Sequence, residues 1–320
     1  MSTEIVLDCD PANDDALAIL LAAGHPDVTL LAVTTVAGHL VAEETAHNAA
    51  IAVAAAGVDV PVAAGSASPL LRDQILAGVL DLENGLDRHR EDLPAVELDP
   101  RHAVGLLAET FAAHPGATLV MTGPLTNLAL SLRRHPALAG QIGRVVTLGG
   151  AWGLGNKSAA AEFNILCDPE AAAVVYGSGL PITMIPVDAT NEVGITAELL
   201  GAVAGLDTTV SAFATELLES LRTTHRSGPG PLAREDAALH DPCAVLVAVD
   251  PTLATTVRAR VDVETRGRLT YGRTVVDFAG KSPQPANADV VVAFDATAVR
   301  EAFLAGLARL NSRTIAVGAP

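Results

Sequence analysis

The stretch Ile5-Val-Leu-Asp-Cys-Asp-Pro-Ala-Asn-Asp-Asp-Ala-Leu-Ala-Ile-Leu-Leu21 sets four carboxylates between two apolar runs. Ile5, Val6 and Leu7 read as a buried strand, Pro11 ends it, Asn13 is placed to cap a helix, and Ala16 to Leu21 continue that helix. Asp8, Asp10, Asp14 and Asp15 therefore converge on one strand-to-helix turn. Carboxylates crowded in this way repel one another and raise each other's pKa values unless a cation neutralises them. A plainer role, with Asp14 and Asp15 complementing the positive end of a helix and Asp8 and Asp10 facing solvent, would account for any one of them. It does not account for four at the carboxyl end of an apolar strand, where ligands bind in α/β sheets.

Outward from this turn, apolar strands alternate with helices. Val28 to Val36 is a strand running into Gly38 and His39, Ala42 to Ala56 an alanine-rich helix, and Val58 to Ala64 a third strand. The pattern dissolves from Gly65 to Pro100, a polar segment containing Asp81-Leu-Glu-Asn-Gly-Leu-Asp87; a connection this long is usually functional. Regularity returns with helix Ala103 to Ala113, strand Thr118 to Thr122, helix Leu125 to Arg134, and strand Arg144 to Leu148 ending in Gly149-Gly150. A loop from Trp152 to Ala161 precedes helix Pro169 to Tyr176, strand Ile182 to Val187 and helix Thr208 to Leu221. Ser227-Gly-Pro-Gly-Pro231 then breaks the chain before a second helix expected to carry His240 and Asp241. Arg260 to Asp277 alternates like a hairpin, Val290 to Phe294 reads as a strand and Ala296 to Leu310 as a helix. This order predicts an α/β fold, an open, mostly parallel central sheet flanked by helices with a small β-hairpin near the C-terminus. No internal repeat or low-complexity linker interrupts it, so residues 1–320 read as a single domain.

At 320 residues, 50% hydrophobic and 18% charged, the chain has enough apolar material for a large core. No apolar run is long enough to span a bilayer and no basic, signal-like segment opens the chain, which leads us to expect a cytoplasmic protein. A net charge of -17, from 20 basic against 37 acidic residues, disfavours nucleic acid or an anionic membrane as partner. A neutral or cationic small molecule suits such a chain better than a polyphosphate. Cys9, Cys167 and Cys243 are odd in number and form no Cys-x-x-Cys pair, which argues against both a disulfide framework and a thiolate zinc site.

The run Asp8-x-Asp-Pro-x-x-Asp-Asp15 is followed by Thr122-Gly-Pro-Leu-Thr-Asn127, by Glu162-Phe-Asn164 before Asp168-Pro-Glu170, and by His240-Asp-Pro242. In order and approximate separation these four motifs resemble the inosine-uridine preferring nucleoside hydrolases, a family with a Rossmann-like nucleoside hydrolase fold. The resemblance implies hydrolysis of the N-glycosidic bond of purine or pyrimidine ribonucleosides to free base and ribose. It also implies a calcium ion held by Asp10, Asp15, Asp241 and the main-chain oxygen of Thr122, consistent with the several oxygen ligands Ca2+ requires. Asp14, Asn156, Glu162, Asn164 and Asp241 would hold the ribose, with His39 on the base side of the substrate site and Asp8 behind the ligands. Asp10 would take a proton from a cation-activated water and His240 would protonate the leaving base. The partner implied is a small-molecule ribonucleoside, the assembly a homodimer or homotetramer.

Three positions depart from the family pattern: Ala12 where glycine is usual, His39 where many members have asparagine, and Asp81-Leu82 where many have His-Gly. They motivate a rival reading, a nucleoside- or sugar-binding protein of the same fold without turnover. A second rival takes Asp8-Cys-Asp10 as the nucleophile loop of a haloacid-dehalogenase-type phosphatase, with Lys157 as its lysine.

Overall fold

A computed structural model of the protein describes residues 2–77, 86, 93–226 and 236–310. Its first half begins with β1 (Thr3–Cys9), α1 (Asn13–Gly24), β2 (Val28–Thr35), α2 (Ala42–Ala56) and the two-residue β3 (Val62–Ala63). It continues through α3 (Ala103–Ala113), β4 (Thr118–Met121), α4 (Thr126–Arg134) and β5 (Arg144–Leu148). The short α5 (Phe163–Cys167), α6 (Pro169–Tyr176), β6 (Ile182–Ile185), α7 (Val187–Thr190), α8 (Ala197–Ala204) and α9 (Thr209–Arg226) follow. The chain then forms α10 (Asp241–Val249), β7 (Ala254–Val263), β8 (Thr274–Asp277), β9 (Ala288–Phe294) and α11 (Ala296–Leu310).

The strands build one sheet in the order β3-β2-β1-β4-β5-β6-β9-β7-β8. Pairing is parallel from β3 through β9, whereas β7 runs antiparallel to β9 and β8 antiparallel to β7. The α/β reading and the late hairpin both hold. From β1 the chain winds outward through β2 and β3 on one side and through β4, β5 and β6 on the other. The strand order therefore reverses between β1 and β4, and a crevice opens at the carboxyl ends of those two strands.

Burial follows the pleat. On β1, Ile5 and Leu7 join the core beneath α1, α2 and α9 to α11, while Val6 packs into the opposite core with Leu107 and Phe111 of α3 and Leu128 of α4. Every residue of α1 except Asp14 is buried, because the helix is wrapped by α2, α9, α10 and α11. A fully buried leucine contributes about 2 kcal/mol, so Leu17, Leu20 and Leu21 pin α1, and with it the acidic turn, against the sheet.

Several boundaries differ from the sequence reading. The N-cap of α1 is Ala12, not Asn13, which is already helical and donates from Nδ2 to Ser220 Oγ of α9 at 2.9 Å. A tertiary partner has taken the amide that would have capped the helix. The third strand shrinks from Val58–Ala64 to Val62–Ala63, since Pro61 has no N–H to give to a ladder. Residues 237–240 are not helical: His240 is the N-cap of α10 and Asp241 its first residue, as Pro242 in the first turn favours. Helix α8, capped by Thr196 Oγ1, went unread. Among the described residues no helix is long and apolar enough to cross a membrane.

Candidate active site

The acidic turn lies at the strand-order reversal. Beyond Cys9 the backbone leaves the sheet; Val36 N–H donates to the Cys9 carbonyl at 3.0 Å, and Asn48 Nδ2 to the Pro11 carbonyl at 2.9 Å. Ala12 is extended, with φ -108° and ψ -151°, so a Cβ fits where the family pattern has glycine. Asp15 Oδ2 accepts from the Ala12 N–H at 3.4 Å and its Oδ1 from Thr122 Oγ1 at 2.7 Å, which ties α1 to the end of β4.

Two overlapping groups of ligand-type atoms result: Asp10, Asp15 and His39, and Asp14, Asp15 and Asp241, each within 4.8 Å. Asp8, Asp10, Asp15 and Asp241 are buried, and among the described residues no lysine or arginine pairs with any of them. Burial pushes the carboxyls of Asp10, Asp15 and Asp241 above the usual aspartate range, and their mutual repulsion with Asp14 adds to it. Asp8 is pushed up to about 7, chiefly by burial, although Thr34 Oγ1 at 2.6 Å and Asn127 Nδ2 at 2.8 Å both donate to its Oδ2. Oδ1 of Asp8, Oδ1 of Asp10 and Oδ1 of Asn164 are buried with no hydrogen-bond partner.

Buried oxygens without donors, at the centre of clustered carboxylates, are the donor set a hard divalent cation satisfies. The chemistry of the expected ligands fits such an ion: Asp15 belongs to both groups, one with Asp10 and the other with Asp241, and Thr122 adjoins through its hydroxyl on Asp15. The Thr122 carbonyl accepts from Asn164 Nδ2 at 2.6 Å and keeps a second lone pair. The three cysteines are free and buried and take no part in either group.

The sugar-side residues sit around α5. Glu162 is its N-cap: Oε2 accepts from Gly150 N at 2.8 Å and Ile165 N at 3.2 Å, and Oε1 from Asn164 N at 3.0 Å. Burial raises its pKa nonetheless. Asn164 also donates to the Leu148 carbonyl at 3.2 Å, so its oxygen is the end left without a protein donor. Asn156 is exposed and its Oδ1 accepts from Phe163 N at 2.9 Å. His240 is half-buried, its Nδ1 2.7 Å from Thr190 Oγ1 at the end of α7. His39 leans onto Asp10, with Nδ1 3.0 Å from Oδ2. Burial pulls the imidazole down, but the Asp10 carboxylate, backed by Asp14 and Asp15, outweighs it and holds the ring up to about 10.

Lys157 does not approach Asp8 or Asp10. Its Nζ donates to the carbonyls of Leu76 and Ala77 at 3.2 and 2.6 Å, which removes the lysine that the phosphatase reading needs. Asp81 lies outside the described residues. Sequence reasoning missed Thr34, Phe163 and Thr190, and it quoted Asn127 within a motif without a role. Each acts on a group 26 to 124 positions away, and spacing carries no signal of such contacts.

The sequence matches the profile of a family described as inosine-uridine preferring nucleoside hydrolase over residues 5–301. A Crithidia fasciculata protein named inosine-uridine preferring nucleoside hydrolase is 39% identical over 301 residues, covering 92% of this chain and 94% of that protein. A pyrimidine-specific ribonucleoside hydrolase RihA of Photobacterium profundum is 42% identical over 294 residues, covering 91% of this chain and 94% of its own length. Among solved structures, a purine-preferring ribonucleoside hydrolase from Gardnerella vaginalis superposes with a TM-score of 0.87 at 29% identity, over 97% of this chain and 99% of that one.

Proposed function

This chain belongs to the inosine-uridine preferring nucleoside hydrolase family, and from that premise we propose that it hydrolyses the N-glycosidic bond of ribonucleosides to free base and ribose, with calcium as cofactor. The observation that carries the reading is the buried acidic cluster at the reversal of strand order, with Asp10 Oδ1 left unpartnered beside the donors and acceptors around α5. Asp10, Asp15, Asp241 and the Thr122 carbonyl would hold the ion. When bound, such a cation supplies Lewis acidity, lowers the pKa of water and balances the clustered negative charge.

The chain's own groups perform the rest. Asp10 takes the proton from the attacking water through Oδ1. Asp14, Asp241, Glu162, Asn164 and Asn156 orient the ribose hydroxyls as positive charge develops on the ring. That charge is stabilised by the surrounding carboxylates, and attack from the face opposite the base gives inversion. His240, held by Thr190, donates a proton to the departing base. The nine-stranded sheet that spans the chain supports treating residues 1–320 as one catalytic unit. The proposal covers purine and pyrimidine ribonucleosides alike, since relatives named for each base class match over nearly the whole chain.

The test is release of free ribose from a panel of ribonucleosides and their 2′-deoxy forms, with and without a chelator. We expect turnover of at least one ribonucleoside, its loss on chelation and its return with added calcium. Because a site built to hydrogen-bond a hydroxyl rejects analogues lacking it, the 2′-deoxy form should lose about ten-thousandfold in kcat/KM. Tight binding with no ribose released would leave the non-catalytic binding reading standing instead.

A further inference from the structure

Comparison with the family pattern would put His39 beside the base, yet its geometry is directed at Asp10. This one residue meets a single oxygen twice: the His39 backbone N–H donates to Asp10 Oδ2 at 2.7 Å, and the ring Nδ1 lies 3.0 Å from the same atom as an ion-pair contact without hydrogen-bond geometry. The other oxygen, Oδ1, is buried and takes no hydrogen bond. The two oxygens of a carboxylate are chemically equivalent until the protein distinguishes them, and here the distinction is complete.

The backbone is shaped for this grip. A Cβ at position 38 would lie 2.0 Å from Asp10 Oδ2, so only glycine lets the chain close over that oxygen and deliver the His39 N–H to it. A Cβ at Gly123 would lie 2.7 Å from Oδ1, so a second glycine keeps open the space that Oδ1 faces. The imidazole is held in turn by Phe163, whose ring centroid is 4.7 Å away at 37°. Phe163 itself follows Glu162 at the start of α5, so the ring contact links the sugar side to the orientation of Asp10.

We propose that His39 is a positioning residue for Asp10: it clamps Oδ2 so that Oδ1 alone faces the cation and the reacting water, and it does not read the base. The proposal rests on the functional reading above and invokes no change in the protonation of His39.

Two substitutions separate the ring nitrogen's contact with Asp10 from the ring itself. In His39→Asn the amide nitrogen is bonded to the γ-carbon, as Nδ1 is, so a polar nitrogen returns to nearly the same point without the ring. In His39→Phe the ring stays on Phe163 and the nitrogen facing Asp10 is gone. Groups that orient metal ligands typically carry about ten- to a hundredfold in activity or metal affinity. We therefore expect His39→Phe to lower kcat by that factor for inosine and for uridine equally, with KM little changed. Calcium affinity, measured by calorimetry on chelator-stripped protein, should fall with it. His39→Asn should recover most of both losses, and melting temperatures near that of the wild type would show both variants folded.

The reverse ranking, with His39→Phe active and His39→Asn impaired, overturns the proposal, as does a changed preference between inosine and uridine at undiminished kcat. If the wild type releases no ribose from any nucleoside, the functional reading fails and the calcium titration still decides this one. Equal calcium affinity in wild type and His39→Phe would then refute the clamp.

Discussion

Asp8 and Asp10 stand two positions apart at the end of one strand, both buried, yet their surroundings give them different work. Asp8 is anchored by Thr34 of β2 and Asn127 of α4, whereas Asp10 is gripped on one oxygen and left free on the other. As the group assigned to take the water's proton, Asp10 should be the costlier to neutralise. Asp10→Asn is expected to lower kcat at least about a hundredfold, and near wild-type turnover in a calcium-loaded Asp10→Asn preparation would move that role to another group. Glu162 offers a second test, through pH. Burial raises its carboxyl above its ordinary value although three backbone N–H groups donate to it. A carboxyl whose folded-state pKa exceeds its unfolded one contributes most stability below the unfolded value, about 4.3, and loses it as pH rises through the folded value. Glu162→Gln lacks this titration but also lacks one of the two oxygens that receive those donors. It should be less stable than the wild type at about pH 5, and the gap should narrow toward about pH 8. Denaturant titrations at both pH values measure it; a gap that widens with pH contradicts the assignment.

At the scale of elements, the site is assembled by side chains that bridge strand ends. Asn127, in the first turn of α4, donates to Asp8 Oδ2 on β1 and to the Thr35 carbonyl on β2, each at 2.8 Å, and accepts from Ser66 N at 3.0 Å. Asn127→Ala strands a buried N–H and strips a donor from a buried carboxyl. With about 1–3 kcal/mol for each such group, we expect a stability loss of about 3 kcal/mol, and a loss below about 1 kcal/mol would mean these groups find other partners. What was legible in the sequence follows the same division between local and distant contacts. The β1 to α1 turn was readable because an apolar run, Pro11 and a second apolar run are contiguous. The alternation up to β6 was readable because parallel strands are buried on both faces and appear as continuous apolar segments. Helix α8 was missed because Gly201 and Gly205 break its pattern, and Asn13 was misassigned because its amide is claimed by Ser220, 207 positions away. The carboxylates that the structure brings together were legible from a local cluster and a resemblance. Their supports, Thr34, Phe163 and Thr190, come from other elements, and no spacing announces them.

For the whole molecule, the cation would act as a cross-link. Its expected ligands come from the end of β1, the first turn of α1, the end of β4 and the first turn of α10, brought together because α1 packs directly against α10 and β1 pairs with β4. Without an ion, buried carboxylates with raised pKa values face one another across that junction, on a chain that already carries a net charge of -17. The unfolded chain has no such preformed site, so the ion would bind the folded state alone and stabilise it by mass action. At a free concentration a hundred times Kd that amounts to about 2.7 kcal/mol. With an unfolding entropy of about 2.1 cal/mol/K per residue, each kcal/mol moves Tm by about 1.5 °C in a chain of 320 residues. Relative to protein at a free calcium concentration a hundred times Kd, stripping with a chelator should therefore lower Tm by roughly 4 °C, with a shift that grows logarithmically with calcium concentration. Thermal unfolding across a calcium series, in parallel with ribose release, checks both consequences on one sample. If activity returns on adding calcium while Tm stays fixed across the series, the ion does not bridge these elements, and the acidic turn must be held together by the protein alone.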